Sequence, residues 1–237
     1  MANLSTFVIQ RDRTTVANRY PEVFHPVRRL SAISDKPHRR ILSFGCSTGE
    51  EPYDLATTYF PDASVIGLDV WPDALVTAKA ERSLGDRIIY DISSPETVAK
   101  YGPYDIIFAM SVLCRWPDLA NVADASQMFP FSHFVEMVTL LDSHLTLGGL
   151  LVIYNANYDF KDTDLISRYE IALVPGISTN GFVKHFDRGG MEMPDYCGTD
   201  VIYRKSANHI SQRGHVLRFV DAVGQPLGRL FIGDHQV

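Results

Sequence analysis

Residues 40–56 read RILSFGCSTGEEPYDLA, and this stretch changes character twice along its length. Ile41, Leu42, Ser43 and Phe44 form a short, mostly apolar run of strand length. Gly45-Cys46-Ser47-Thr48-Gly49 is a turn of small residues, and Leu55 and Tyr59 then carry helical spacing from Pro52 onward. A strand that breaks through glycines into a helix bares its backbone beside the positive helix end, where a ligand can approach closely.

Three chemistries use such a turn: a dinucleotide fingerprint, a nucleophile elbow, and the pocket for the methionine end of S-adenosylmethionine (SAM). The third glycine of the dinucleotide pattern is missing, because position 50 is Glu. Carboxylates at Glu50 and Glu51 suit a helix dipole but repel a pyrophosphate. Gly45-x-Ser47-x-Gly49 matches the elbow pattern, with Ser47 as nucleophile of a hydrolase. An elbow has sheet and an oxyanion loop before it, whereas only about forty residues precede this one, none of them HGGG-like. The same glutamates also suit a capping box from Ser47 or Thr48.

The segment GCSTGEEPYDLA resembles the first motif of class I SAM-dependent methyltransferases. Within them it is most similar to the CheR-type chemotaxis protein-glutamate methyltransferases, whose motif reads much like xxSTGEEPYS. The match is continuous from Ser47 through Tyr53, and the wider resemblance spans roughly residues 39–155. It implies a Rossmann-like seven-stranded sheet, mostly parallel with an antiparallel terminal strand and helices on both faces. It also implies SAM as methyl donor, with S-adenosylhomocysteine (SAH) as product, held in part by Gly45, Cys46, Ser47, Gly49 and Glu51.

The rest of the chain supports an α/β reading independently. Strand-like runs at 64–69 (SVIGLD), 87–91 (RIIYD), 104–110 (YDIIFAM) and 150–154 (LLVIY) alternate with helical spacing over 52–59, 73–82 and 131–145. Gly148-Gly149 closes the last helix, residues 163–173 suit a further helix, and 181–186 with 200–205 resemble a terminal antiparallel pair. Near-continuous apolar strands argue for a parallel sheet covered on both faces. Three units are expected: an N-terminal helical cap or lid over 1–38, a SAM-binding domain over 39–206, and a C-terminal β-hairpin extension over 207–237, turning at Gly224-Gln225-Pro226. Pro21, Pro26 and Pro37 cut the first unit into short pieces.

Ligands in such sheets lie beyond the carboxyl ends of the strands, so the residues found there are the candidates. Asp69 ends its strand 20 residues after Gly49, where a carboxylate can accept from both hydroxyls of a ribose. As a strand-end group at an open cleft it is expected to support little of the core. Val70 and Trp71 suit an apolar wall against a base. The resemblance gives Asp91 the adenine amino group, Ile92 N–H the ring, and Met110 with Ser111 a place beside the cofactor. Turn or capping roles suit Asp69 and Asp91 as well. Residues 113–130 form a long connection carrying Cys114, Arg115, Trp116, Met128 and Phe129, and long loops with aromatics at the ligand edge line or gate substrate pockets. CheR-type enzymes read roughly N-V-L-I-Y-F where this chain has Ser111-Val112-Leu113-Cys114-Arg115-Trp116; the asparagine is lost, which puts the chemotaxis substrate in doubt. Arg115, Trp116, Tyr154, Asn155 and Asn157 are the candidate acceptor contacts. His133, Tyr154 and His185 are candidate bases for a hydroxyl acceptor, and no catalytic residue is singled out.

With 237 residues, 46% hydrophobic and 21% charged, the composition is that of a globular enzyme. The net charge of −6 argues against nucleic acid as main partner. No apolar run approaches the ~18 residues of a membrane-spanning helix, and no signal-peptide layout opens the chain. The three cysteines, Cys46, Cys114 and Cys197, are scattered and lack metal-ligand spacing, so a reducing, cytoplasmic setting without a metal is expected. The expected function is methyl transfer from SAM to an O or N atom of a small-molecule acceptor; a homodimer is compatible with the sequence. The alternatives are a CheR-like protein carboxyl methyltransferase, a SAM-binding regulatory protein without turnover, and the Ser47 hydrolase.

Overall fold

The computed structural model describes residues 9–32, 38–177, 182–196 and 198–206 in full, and the backbone course of 214–220 and 226–233. Cys197, Pro37, Gly181 and the turn at Gly224-Gln225 lie outside the described residues.

The five strands β1 (Arg40–Phe44), β2 (Ser64–Asp69), β3 (Ile88–Ile92), β4 (Tyr104–Met110) and β5 (Leu145–Tyr154) pair in parallel in the order β3-β2-β1-β4-β5. Side chains alternate across them. Leu42, Phe44, Ile66, Leu68, Ile107, Ala109, Leu151 and Ile153 enter one core. Ile41, Val65, Ile106, Phe108, Leu150 and Val152 enter the other. A sheet buried on both faces needs apolar residues at nearly every position, hence the unbroken apolar runs.

Helices α4 (Pro95–Tyr101) and α5 (Phe131–Ser143) cover the first face, through Val98 and through Phe134, Met137, Val138 and Leu141. The opposite face is covered by α1 (Pro21–Ser31), by α3 (Pro72–Glu81), and by α2 (Glu50–Asp54), which widens into π-type turns over Leu55–Tyr59. Contrary to expectation, Pro21 and Pro26 do not break α1. Pro21 occupies the helix start, where its missing N–H costs nothing, and Pro26 lies inside the helix. The interior penalty of about 3 kcal/mol is offset by burial of Val23, Phe24, Val27 and Leu30, all at most 1% exposed. The Phe24 ring stands edge-on to Phe108 at 5.4 Å.

Beyond β5 the sheet continues through β7 (Ile202–Lys205), antiparallel to both neighbours, then β6 (Tyr169–Leu173), β8 (Gly214–Val220) and β9 (Pro226–Gly233). Seven strands form the expected mixed sheet, and the β8–β9 hairpin extends it.

Three element assignments are corrected. β6 arises inside the segment expected to be helical: after a short 3₁₀ turn at Asp164–Arg168, Tyr169 and Ile171 enter one core while Ala172 enters the other. That alternation is a strand pattern too short to outvote helical spacing in a longer window. The partner expected at 181–186 is not a strand among its described residues; Phe186 makes only an isolated bridge with Glu192. Gly148-Gly149 likewise lies within β5 rather than closing α5, at the register shift opposite Tyr104 and Ile106. A Cβ on Gly149 would stand 2.9 Å from the Asp105 carbonyl oxygen, so the glycine permits close strand approach.

Among the described residues no helix is long and apolar enough to cross a membrane, and no group of three or more His, Cys, Asp or Glu could hold a metal ion.

Candidate functional site

The strand order reverses between β1 and β4, and a cleft opens there beyond the strand ends. It encloses about 1210 Å³ of empty space, counting its open mouth. The walls come from the end of every strand in the parallel half except the outer β5: Gly45 after β1, Asp69 at the end of β2, Ser93 after β3, Met110 and Ser111 at β4. Residues 9–20 cross above as a roof.

The glycines of the first turn serve the turn itself. Gly45 has φ +82°, and a Cβ there would stand 2.4 Å from Val112 Cγ2. Gly49 has φ +89°, and its Cβ would meet Ala78 and the Tyr90 hydroxyl at 2.8 Å. Both positions therefore demand glycine for conformation and packing together. Gly49 does not line the cleft; Gly45, Cys46, Ser47 and Glu51 do.

The two glutamates part company. Glu50 turns outward, accepting from Thr48 Oγ1 and pairing with Arg82 at 2.8 Å. No capping box forms, because the residue before α2 is Gly49. Glu51 turns inward, accepting from Ser43 Oγ at 2.8 Å, and burial pushes its carboxyl up to about 7 despite that bond. Burial likewise raises Asp54 and Asp69, two further carboxylates of the wall, whereas hydrogen bonds from Thr14 lower the fourth, Asp12.

Asp69 is more than a strand end. It is 6% exposed, and its two oxygens accept from Ser47 N–H at 2.7 Å and Trp71 N–H at 3.0 Å. It thus ties the turn after β1 to the chain entering α3, contrary to the expectation that it supports little. Val70 and Trp71 line the cleft beside it, and the Arg13 guanidinium lies 5.1 Å above the Trp71 ring.

Asp91 and Ile92 do not reach the cleft. Ile92 N–H donates to Asp91 Oδ1, while Asp91 Oδ2 accepts from Tyr101 and faces Lys100 at 3.4 Å. Burial pushes the Asp91 carboxyl up, but these donors outweigh it and hold it below the usual range. The neighbouring Ser93 lines the wall instead.

At the far end the cleft is lined by Ser111, Cys114 and Trp116, with Phe182 and Val183 opposite. The Trp116 and Phe182 rings meet at 4.2 Å. Tyr20, from the roof, shares a hydrogen bond of 2.8 Å with Ser111 Oγ, which also accepts from Asn155 Nδ2 at 3.1 Å. Of the candidate acceptor contacts, Trp116 alone lines the cleft. Arg115 pairs with Asp118 at 3.6 Å, and its N–H donates to Asn157 Oδ1. Asn157 also donates to the Lys184 carbonyl, so it staples two loops. Tyr154 packs edge-on to Tyr20 at 5.0 Å. The other aromatic of residues 113–130, Phe129, serves packing: it is 2% exposed in the core.

The candidate bases His133, Tyr154 and His185 also lie outside the cleft wall. His185 is buried against Tyr196 at 4.4 Å, and burial lowers it to about 4. Ser47 Oγ donates to the Arg13 carbonyl at 2.8 Å, not to a base, which removes the support for a nucleophile elbow. Cys46 and Cys114 are buried free thiols, the latter raised to about 12 by burial.

Sequence reading missed the roof residues Gln10, Arg13, Arg19 and Tyr20, which carry no strand-end signal because they arrive from a distant, irregular segment. Ser93 was within reach, since it follows a strand whose end had been singled out.

No protein-family profile matches the chain. It is 27% identical over 144 residues to trans-aconitate 2-methyltransferase of Deinococcus radiodurans, covering 60% of this chain and 48% of the relative. It is 38% identical over 71 residues to the probable biofilm formation methyltransferase WspC of Pseudomonas putida, covering 25% of this chain and 17% of the relative. The chain thus spans less than half the length of these curated relatives. Among solved structures, the N-methyltransferase NodS of Bradyrhizobium japonicum superposes with a TM-score of 0.50 at 17% identity, covering 80% of this chain and 98% of that one. The architecture is the Rossmann-like fold of class I SAM-dependent methyltransferases.

Proposed function

We propose that the chain is a SAM-dependent methyltransferase acting on a small-molecule acceptor. The observation that carries this reading is the cleft at the strand-order reversal, whose wall combines Glu51, Asp54 and Asp69 with an apolar patch at Val70 and Trp71. The wall carries four carboxylates, Asp12 among them, against the two guanidiniums of Arg13 and Arg19, a negative balance that suits a ligand bearing an ammonium and a sulfonium and disfavours a polyphosphate. Asp69 would hold the ribose hydroxyls, Trp71 and Val70 the face of the base, and Glu51 the amino group. Both curated relatives carry the same class of activity in their names, which supports the reading.

Bound SAM supplies a methyl group that is already activated, so the protein needs no covalent nucleophile. The chain's own residues then hold, orient and exclude water. Positioning of this kind is worth ~7–11 kcal/mol. The roof over residues 9–20 shields part of the cleft from water, and the Trp116 and Phe182 rings, inclined to each other at 46°, offer an apolar corner for an acceptor. The name of the Deinococcus relative places a small organic acid on that enzyme, in line with a small acceptor here. The CheR-type likeness of residues 47–53 concerns the donor end alone and does not select the acceptor. A carboxylate acceptor would need no general base.

SAM or SAH at a hundredfold excess over Kd should stabilise the protein by ~2.7 kcal/mol, which thermal unfolding resolves, and NAD should not stabilise it. Stabilisation by NAD and not by SAH ends this reading. Binding without turnover across a panel of small acids, alcohols and amines leaves a SAM-binding regulatory protein instead.

A further inference from the structure

Ser93 and Ser94 follow β3 side by side, and only one of them spends its hydroxyl. Ser94 caps α4: its Oγ accepts from Thr97 N–H at 3.2 Å, and Thr97 Oγ1 accepts from Ser94 N–H at 2.9 Å. Ser93 N–H donates to the Asp69 carbonyl at 2.8 Å, and the preceding Ile92 carbonyl accepts from Thr97 Oγ1 at 2.7 Å. The backbone is therefore fixed on both sides of Ser93. Ser93 is 2% exposed and lines the cleft, and its Oγ, closed off from solvent in this rotamer, has no hydrogen-bond partner. An unpaired buried hydroxyl lowers stability, so its retention on a rigid turn that lines the cleft points to a ligand toward which it rotates.

The same turn shows what the ligand end is not read by. The Asp91 carboxyl is engaged by Ile92, Tyr101 and Lys100, and Ile92 N–H is spent on Asp91. Neither group is free for a base edge. Asp69, Val70 and Trp71 flank Ser93 in the wall, which assigns this end of the cleft to the nucleoside.

We propose that Ser93 Oγ, not Asp91, binds the polar edge of the cofactor's purine, and that the chain consequently accepts a 6-oxopurine nucleoside as well as a 6-aminopurine one. This rests on the SAM reading above. A carboxylate only accepts, so it takes the 6-amino group and rejects a 6-oxo group. A serine hydroxyl both donates and accepts and turns to suit either partner. It can accept from the 6-amino group or donate to the 6-oxo oxygen.

The test is calorimetry of the full chain with SAH and with its deaminated analogue S-inosylhomocysteine. The wild type is expected to bind both with affinities within about tenfold of each other, the range of one neutral hydrogen bond. Ser93→Ala is expected to weaken both by about three- to tenfold, while the melting temperature of the ligand-free protein stays level or rises. Asp91→Asn is expected to leave SAH affinity within about twofold, because its carboxyl already serves Tyr101 and the local turn. Ser93→Cys, close in shape but a weak hydrogen-bonding group, is the second variant should the alanine form not fold. Unchanged SAH affinity in the Ser93 variants overturns the proposal, as does rejection of the inosyl analogue by more than about 100-fold, the mark of a site that reads one pattern alone. Failure of the wild type to bind SAH overturns the methyltransferase reading and this inference together; SAH binding that ignores Ser93 overturns this inference alone.

Discussion

Replacing Asp69 by Ala should damage the ligand-free protein and the ligand site at once, in amounts that can be separated. The carboxyl accepts from Ser47 N–H at 2.7 Å and Trp71 N–H at 3.0 Å, and both bonds are lost. Hydrogen bonds to a charged acceptor are worth about 1.5–3 kcal/mol each. Against this, removing a carboxyl that is 6% exposed and raised by burial relieves part of its desolvation cost. A net loss of about 2–3 kcal/mol follows, or roughly 4–12 °C in melting temperature for a chain of this size. The ligand should lose a further ~2–3 kcal/mol, because two ribose hydroxyls lose a charged acceptor. Thermal unfolding of the free protein measures the first quantity, and calorimetry with SAH, well below the new transition, measures the second. If the free protein melts within about 1 °C of wild type, Asp69 does not tie β1 to α3.

Glu51 gives a pH signature. Its carboxyl is raised from 4.5 to about 7, so the folded protein retains a proton that the unfolded chain has already released. Stability should therefore fall as pH rises from about 4.5 to about 7 and level off above; Glu51→Gln, which keeps an acceptor for Ser43, should flatten that limb and gain roughly 1–3 kcal/mol above pH 8 in urea unfolding. SAH affinity in the wild type should rise over the same interval as the carboxylate forms, and the glutamine variant should lose that rise. Gly45→Ala should cost about 2–4 kcal/mol, combining positive φ with the Val112 clash; adding Val112→Ala should return the steric part only, and full recovery would show that φ there is unstrained. Trp116→Ala should leave SAH affinity within about twofold while lowering kcat/KM for whichever acceptor is found by at least tenfold; equal loss of both would place Trp116 at the donor.

The parallel half of the sheet was legible because a strand buried on both faces leaves an unbroken apolar run, bounded here by Gly45, Asp69 and Met110. The β6 segment was not, since five residues of alternation at Tyr169–Leu173 follow a polar turn that also suits a helix. At the site, Asp69 could be placed from its spacing and Glu51 from the family resemblance, but spacing could not tell Glu50 and Asp91 from them. What separates the two pairs is a distant partner: Arg82 draws Glu50 outward, and Tyr101 draws Asp91 onto α4. A lid was expected over residues 1–38, but which of its residues reach the cleft was beyond pattern reading, since Gln10 meets Ser111 and Cys114 across more than a hundred residues of chain.

That roof is held unevenly. Its two ends are buried, through Ile9 in one core and Tyr20 in the other. Its middle is attached by polar contacts at the surface: Arg13 to Asp73 at 2.6 Å, Ser47 to the Arg13 carbonyl, and Asn18 N–H to Asp54. Exposed ion pairs of this kind add little stability each. Residues 11–19 should therefore open as a unit without disturbing the sheet, and their amides should exchange with solvent far faster than those of β1 or β4. A nucleoside seated between this strap and the strand ends would slow that exchange, and could leave only as fast as the strap lifts. The residence time of the product, and with it the ceiling on turnover, would then be written in nine surface residues and not in the methyl-transfer step.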